Sequence, residues 1–504
     1  MAADYDSIVI GAGIGGLYAG AALAARGQRV LVLERHDQIG GYASKFRIRD
    51  FDFDVSLHML GDLEGQSLGR LLAQIGALER ITPLKPKYLY ESVFDGERLR
   101  LPNGDPAAIV HAFIARFPRE RLGIRWWFYC MRAVNRELGL LGWASRSRLR
   151  LIPLMLLAPL LLPLVVFGDA IPQRFALALV RDRRARGLLN QLWQYYGLPE
   201  GRSNLLFPMI ANYGYYYGGG YYVQGGGQQL CFAFKDIIER HAGAVRTATP
   251  VRRILVEDGR VAGVELNDGS QARAATVIAS ANPFVVYREL LKGWPGATAE
   301  LARLEKLELS ISASVLYLGL DTPIASLWPE YADSYEVFVS ADLDPEAEYR
   351  ASMNREPRTD YREFSITLHS NIDPTAAPPG KAALNVFVAD NLTRWTLPDK
   401  DTYRRQKQAE TEKLLAAVER ILPGLRAHAE VLELATPITM HAYTGNEGGA
   451  LYGFSQRRGQ SGPFRRFRNR GPIPGLYFAS AWTFPGGGYE GSIRAGEEVA
   501  RQIN

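Results

Sequence analysis

An apolar strand that runs straight into a glycine turn is the strongest constraint in this chain. Ser7-Ile8-Val9-Ile10 leads into Gly11-Ala12-Gly13-Ile14-Gly15-Gly16; a small-residue helix is expected over 17–26, and a second strand over 28–33 ends on Glu34-Arg35. In such an order the first glycine makes the tight turn, Gly13 lets the backbone approach a pyrophosphate, and Gly16 permits close packing of helix on strand. The unpaired N–H groups of the helix N-terminus then point at the phosphates. Glu34, eighteen residues past Gly16, stands where an acid accepts hydrogen bonds from a ribose 2′-hydroxyl. A glycine turn alone says little. The complete strand–turn–helix–strand–acid order implies an α/β fold built on a Rossmann-like dinucleotide unit.

Pieces of the same unit recur far along the chain, so the domains are expected to interleave. Gly225-Gly226-Gly227 opens a helical stretch through Arg240, 248–257 and 260–266 alternate as a hairpin around Asp258-Gly259, and 274–280 is an apolar strand closed by Ala281-Asn282-Pro283. Near the end, 475–480 is a strand entering Pro485-Gly-Gly-Gly488-Tyr489-Glu490-Gly491, with a helix expected over 492–503. Gly486, Gly488 and Gly491 also fit the glycine pattern, but no second strand or acid follows them. A helix N-terminus aimed at an electron-rich cofactor atom is the better reading. Between these blocks, 312–320, 364–369 and 383–388 alternate as half-buried strands, 401–421 is helical, and 68–150 reads as several helices. The segments 341–362 and 455–471 read as loops.

The 504 residues, 47% hydrophobic and 22% charged, suffice for two or three globular domains. A net charge of +6 spread over that length does not indicate a nucleic-acid partner. Two cysteines, Cys130 and Cys231, with no paired-cysteine pattern argue against a disulfide framework or a zinc site and suit a reducing compartment. The first strand begins by Asp6, so no secretory leader is expected. HExxH and Walker motifs are absent, so metal-dependent and P-loop chemistry are not favoured, and serine-hydrolase chemistry is not expected either. Residues 151–167, LIPLMLLAPLLLPLVVF, carry no charge. As a helix they would span about 25 Å, short of a hydrocarbon core of roughly 30 Å, and Pro153, Pro159 and Pro163 interrupt them. Arg146, Arg148 and Arg150 precede the run, and Arg174, Arg181, Arg183, Arg184 and Arg186 follow it. A monotopic anchor on an anionic leaflet fits this pattern; a buried core segment or a subunit contact is the alternative. Tyr213, Tyr215, Tyr216, Tyr217 and Tyr221, set among glycines, read as the wall of a long apolar channel or as a tyrosine-rich β-edge.

Further stretches resemble one family. Glu34-Arg35, Gly40-Gly41-Tyr42-Ala43-Ser44 and Phe51-Asp-Phe53-Asp54 resemble the FAD fingerprint of the phytoene desaturase and amine oxidase superfamily, as do 251–283 and the terminal Pro-Gly-Gly-Gly-Tyr-Glu-Gly. Ser370-Asn-Ile-Asp373-Pro374, Ala435-Thr-Pro437-Ile-Thr439 and Gly449-Ala-Leu-Tyr452-Gly453 resemble the branch of retinol saturase and carotenoid isomerase. Asp50 and Ser56 stand where the family commonly has glycine. The fold the resemblance implies is a Rossmann-like FAD-binding domain of the amine-oxidase type over 1–80, 221–285 and 431–504. It is interleaved with an α+β substrate domain over 81–220 and 286–430, which carries the apolar membrane-association segment.

The resemblance implies that FAD is held by Gly11, Gly13, Ile14, Gly15, Gly16, Glu34, Arg35, Gly40, Gly41, Ala43, Ser44, Val251, Ser280, Ala281, Gly491, Ser492 and Ile493. Val251 corresponds to the position whose backbone receives the adenine end, while Arg35 either stacks on adenine or is solvated. No cysteine lies in 481–488, so the flavin is expected to be noncovalent, and any nicotinamide or quinone partner is expected to bind transiently. His58, Tyr489 and Glu490 are the candidate catalytic residues; His58 can equally be structural, and Glu490 a helix cap. The implied activity is FAD-dependent chemistry on a carbon–carbon bond of a long polyene or isoprenoid, favoured as saturation or cis–trans isomerisation and otherwise desaturation. A flavin amine oxidase and a flavin-containing lipid carrier are the alternatives. The expected location is the cytoplasmic side of a membrane.

Overall fold

The computed structural model describes residues 4–65, 67–144, 148–461 and 467–503. Five short strands form a parallel sheet in the order Ala244–Arg246, Val30–Leu33, Ser7–Ile10, Thr276–Ala279, Leu476–Phe478. The three central strands are wholly or almost wholly buried, which is why they read as unbroken apolar runs. The helix Ile14–Ala24 is buried along its entire length, wedged against the helix Gln228–Arg240 and the C-terminal helix Gly488–Gln502. Glycines make that approach possible: a Cβ at Gly496 would lie 2.5 Å from the Gly15 carbonyl oxygen. The antiparallel meander Val251–Glu257, Arg260–Leu266, Gln271–Arg273 completes this domain.

The second domain is a seven-stranded mixed sheet in the order Ala429–Ala435, Ser312–Leu320, Ala382–Asp390, Glu363–Thr367, Glu336–Ser340, Tyr88–Phe94, Glu97–Pro102. The strands Ser312–Leu320, Glu363–Thr367 and Ala382–Asp390 alternate as expected but are buried on both faces, not one. Ala313, Val315 and Tyr317 join the core shared with the dinucleotide domain, whereas Leu316, Leu318 and Leu320 pack with Leu414, Leu415 and Val418 of the helix Lys400–Glu419. A helix covers the face that alternation alone assigns to water.

Three further expectations are corrected. Residues 68–150 are not all helical, because Tyr88–Phe94 and Glu97–Pro102 form a hairpin closed by Asp95-Gly96, both at positive φ (49° and 73°). The 341–362 loop contains the helix Pro345–Ser352, capped by Asp344. The boundaries at 220/221 and 430/431 cut the strands Gly220–Val223 and Ala429–Ala435, the latter being an edge of the second-domain sheet.

The charge-free run folds as short helices, Arg148–Leu156, Ala158–Leu161 and Pro163–Phe167. Among the described residues no helix is long and apolar enough to cross a membrane. Leu154, Ala158 and Leu162 turn inward with Ala144, while Leu156 and Leu160 are 78% and 76% exposed and Ile152, Met155 and Leu157 project beside them. The run is thus not a buried core segment. Arg146, and residues 462–466 of the 455–471 loop, lie outside the described residues.

Candidate active site

A cavity of about 520 Å³ runs between the two domains. Gly11, Gly13, Ile14 and Gly15 border it at the start of the first helix, whose N-cap, Gly13, provides no side-chain cap and whose first turn holds no acid. Its leading N–H groups therefore face the cavity as anion donors. A Cβ on Gly13 would meet only Ser280 Oγ, at 3.2 Å, so its absence leaves room for a ligand against the backbone. Gly16 instead serves packing: a Cβ there would sit 2.5 Å from Ser280 Cβ, and its N–H donates to Ser280 Oγ at 3.2 Å.

Glu34 borders the cavity and accepts from the Ala12 N–H at 2.7 Å and the His36 N–H at 3.0 Å. These bonds hold the carboxylate still and leave lone pairs for a ribose hydroxyl. Exposed Arg35 donates to the Tyr443 carbonyl at 3.0 Å. Gly40, Gly41 and Ala43 line the neighbouring wall, and Ser44 lies just outside it with its hydroxyl on the Gly41 carbonyl at 2.7 Å. Val251, Ser280 and Ala281 also line the cavity. Uncapped helix start, glycine gap and oriented acid together fit a dinucleotide such as FAD.

The first turn of the C-terminal helix, packed beside Gly15, forms a further part of the lining. Gly488, Tyr489 and Ser492 line the cavity; Gly491 and Ile493 do not, because Gly491 closes on the Gly486 carbonyl and Ile493 is core. Glu490 is displaced from its expected role. It accepts from Ser67 Oγ at 2.6 Å and Arg494 Nε at 2.9 Å and does not border the cavity. His58 does border it, with Nδ1 2.6 Å from Thr367 Oγ1.

None of the five tyrosines expected to form a channel lines this cavity. Four sit on the helix Leu206–Gly218, which points them elsewhere: Tyr213 stacks on Tyr217 at 4.6 Å, Tyr215 donates to the Met59 carbonyl at 3.1 Å, and Tyr216 bonds the Tyr90 hydroxyl at 2.6 Å. Tyr221 donates to Glu64 at 2.8 Å. The aromatic wall comes from Tyr42, Tyr452, Tyr489, Trp482 and Phe387, with Ala313, Val315, Met440 and Leu451 between them. Tyr452 carried a signal, since it lies in the Gly449–Gly453 stretch. Phe387 and Val315 carried none, because they reach the cavity only through sheet register. Burial pushes the Tyr42 phenol up to about 12 and raises Tyr452 and Tyr489 further, so all three keep their protons at neutral pH. Among the described residues, no group of three or more His, Cys, Asp or Glu is placed to hold a metal ion.

The family model for flavin containing amine oxidoreductases matches residues 14–504. The chain belongs to that family. It is similar to the all-trans-retinol 13,14-reductase of Macaca fascicularis, with 26% identity over 95% of this chain and 82% of the relative. It is also similar to a lycopene-forming phytoene desaturase of Pseudescherichia vulneris, with 27% identity over 98% of each. Prolycopene isomerase 2 of an Oncidium hybrid cultivar is 24% identical over 100% of this chain and 84% of its own. Among solved structures, an oxidoreductase from Methanosarcina mazei superposes with a TM-score of 0.64 at 17% identity, covering 98% of this chain and 100% of that one. A putrescine oxidase variant superposes at 0.63 and 18%, covering 99% and 98%. These superpositions show the shared fold.

Proposed function

We propose that this flavoprotein acts on a carbon–carbon bond of a long apolar polyene or isoprenoid, as a saturase or cis–trans isomerase in preference to a desaturase. The observation that carries the reading is the composition of the cavity beyond the C-terminal helix. Ala313, Val315, Phe387, Met440 and Leu451 form an apolar wall beside His58. Such a wall suits a hydrocarbon. The three curated relatives above, whose names refer to retinol, phytoene and prolycopene, support the same class.

FAD bound here, noncovalently, supplies two-electron chemistry. The first helix, Gly13 and Glu34 would hold its pyrophosphate and ribose, and the C-terminal helix start would place a positive dipole end at the ring. The aromatic wall excludes water and orients an extended chain. A nicotinamide or quinone would exchange electrons in a transient encounter. The exposed ridge of Ile152, Met155, Leu156 and Leu160, flanked by exposed Arg150, Arg174 and Arg181, would rest on an anionic leaflet and admit substrate from it.

Two measurements test this. FAD-loaded protein in liposomes without oxygen, offered carotenoids and retinoids with and without prior flavin reduction, should yield a product changed by one H2 or an isomer of unchanged mass. No polyene product, together with hydrogen peroxide released from simple amines, would overturn the reading in favour of an amine oxidase. The outward-facing double substitution Leu156→Glu/Leu160→Glu should move the protein from the pellet to the supernatant in co-sedimentation with anionic liposomes. Equal partitioning of variant and wild type would refute the membrane contact.

A further inference from the structure

A buried acid stands behind His58. Glu336 opens the strand Glu336–Ser340 and faces Thr367, the end of the antiparallel strand Glu363–Thr367, in direct register. Both residues are shut off from solvent, at 1% and 0% exposure. The Thr367 hydroxyl donates to Glu336 Oε2 at 2.8 Å, and its oxygen lies 2.6 Å from His58 Nδ1. A hydroxyl has one proton to donate. A carboxylate only accepts, so with that proton on Glu336 the threonine oxygen must accept from the ring, and the imidazole proton sits on Nδ1. Nδ1 is 3.6 Å from Glu336 Oε2, so Thr367 makes the contact and the acid acts through it.

The surroundings hold this arrangement. Phe387 meets the imidazole edge-on at 5.6 Å, Tyr195 packs at 5.7 Å, and the Tyr335 hydroxyl donates to the His58 carbonyl. The buried Tyr195 hydroxyl interacts with Glu336. Burial and the charge of Glu336 keep the Tyr195 phenol protonated beside it. With Nδ1 engaged, Nε2 is the ring atom left to a bound molecule, and the cavity borders His58.

We propose that Glu336 is a positioning residue that, through Thr367 Oγ1, holds the His58 proton on Nδ1 and presents an unprotonated Nε2 to the cavity for proton exchange with the substrate. The inference rests on the functional reading above. Removing H2 from a carbon–carbon bond takes two electrons and two protons. FAD held by the residues above would supply the two-electron chemistry as a hydride acceptor, and His58 Nε2 takes the remaining proton, giving an imidazolium whose charge faces Glu336. Addition of H2 runs the same transfers in reverse. Tyr42, Tyr452 and Tyr489 do not compete as acceptors, because burial holds their protons in place.

The test reads the tautomer directly, without turnover. FAD-loaded protein labelled with 15N-histidine is examined by long-range 1H–15N correlation at a pH where the ring is neutral, with His58 assigned by the signals lost in His58→Gln. Wild type should show a pyrrole-type Nδ1 and a pyridine-type Nε2, and Thr367→Ser should keep that pattern. Thr367→Val and Glu336→Leu should invert it, moving the proton to Nε2, the tautomer free histidine prefers. Glu336→Leu removes no hydrogen-bond partner of His58, and it replaces the acid by a side chain of similar volume. It therefore separates positioning from bulk structure even if Thr367→Val does not fold. A wild-type ring protonated at Nε2, or an Nδ1–H ring that persists in Glu336→Leu, overturns the proposal. An intact tautomer pattern with no turnover of any polyene would overturn the functional reading and leave the positioning of His58 standing.

Discussion

Glu363→Gln should make the protein more stable in neutral solution, by an amount that grows with pH. Glu363 is 8% exposed. One of its oxygens accepts from Trp193 Nε1 at 2.9 Å and Gln194 Nε2 at 3.3 Å, and the Ser340 hydroxyl lies 3.4 Å from the other. Burial, reinforced by the nearby charge of Glu348, pushes its carboxyl from 4.5 up to about 8. At pH 7 the folded protein therefore keeps a proton that the unfolded chain has released. Stability falls as pH rises wherever the folded state binds more protons, here between 4.5 and about 8, by ~1.4 kcal/mol per pH unit, and this contribution is flat outside that window. Glutamine has no proton to lose in either state. Its amide oxygen can accept from Trp193 and Gln194 as the carboxyl oxygen does, and its NH2 can donate to Ser340 Oγ once that hydroxyl turns its own proton away. The variant should match wild type near pH 4.5, exceed it by about 3 kcal/mol at pH 7 and by about 5 kcal/mol above pH 8. Unfolding entropy scaled to 504 residues converts each kcal/mol to about 1 °C, so the midpoint at pH 7 should rise by about 3 °C. Thermal unfolding of both FAD-loaded proteins from pH 5 to 9 measures this directly. Parallel curves would refute the reasoning, because they would mean Glu363 is ionised in the fold.

Gly496→Ala places a Cβ 2.5 Å from the Gly15 carbonyl oxygen. The overpacking cost of about 1–3 kcal/mol should exceed the helix-propensity gain of about 1 kcal/mol, lowering the unfolding midpoint and weakening FAD binding; equal stability would refute the close contact. Glu34→Ala leaves the Ala12 and His36 N–H groups without their acceptor and should weaken FAD binding at least ~10-fold in fluorescence titration of apoprotein; unchanged affinity would remove Glu34 from the ribose site. Tyr216→Phe strands the buried Tyr90 hydroxyl, costing about 1–3 kcal/mol of stability, while the visible spectrum of the bound flavin should not change.

The dinucleotide end of the site was legible because its parts are neighbours in sequence. Strand, turn, helix start and acid fall within residues 7–34 and obey backbone rules that need no partner. The same locality made the 251–266 hairpin readable. The same holds for Asp95-Gly96, a turn signal set in a stretch rich in helix-like residues. Alternation along 312–320 told which residues share a face, but not that the helix Lys400–Glu419 covers the outer one.

By itself, then, the sequence determined the Rossmann-like unit, its acid, the interleaving of two domains and the charge-free run at 151–167. Only tertiary structure decided what surrounds each side chain. It joined His58 to Thr367 across 309 residues, drew Glu490 to Ser67 across 423, and turned Tyr216 into the core while Tyr452 and Phe387 reached the cavity. The division follows from range. Backbone dihedrals and turn residues act over a few positions, whereas the direction a side chain faces depends on which distant element packs against its own.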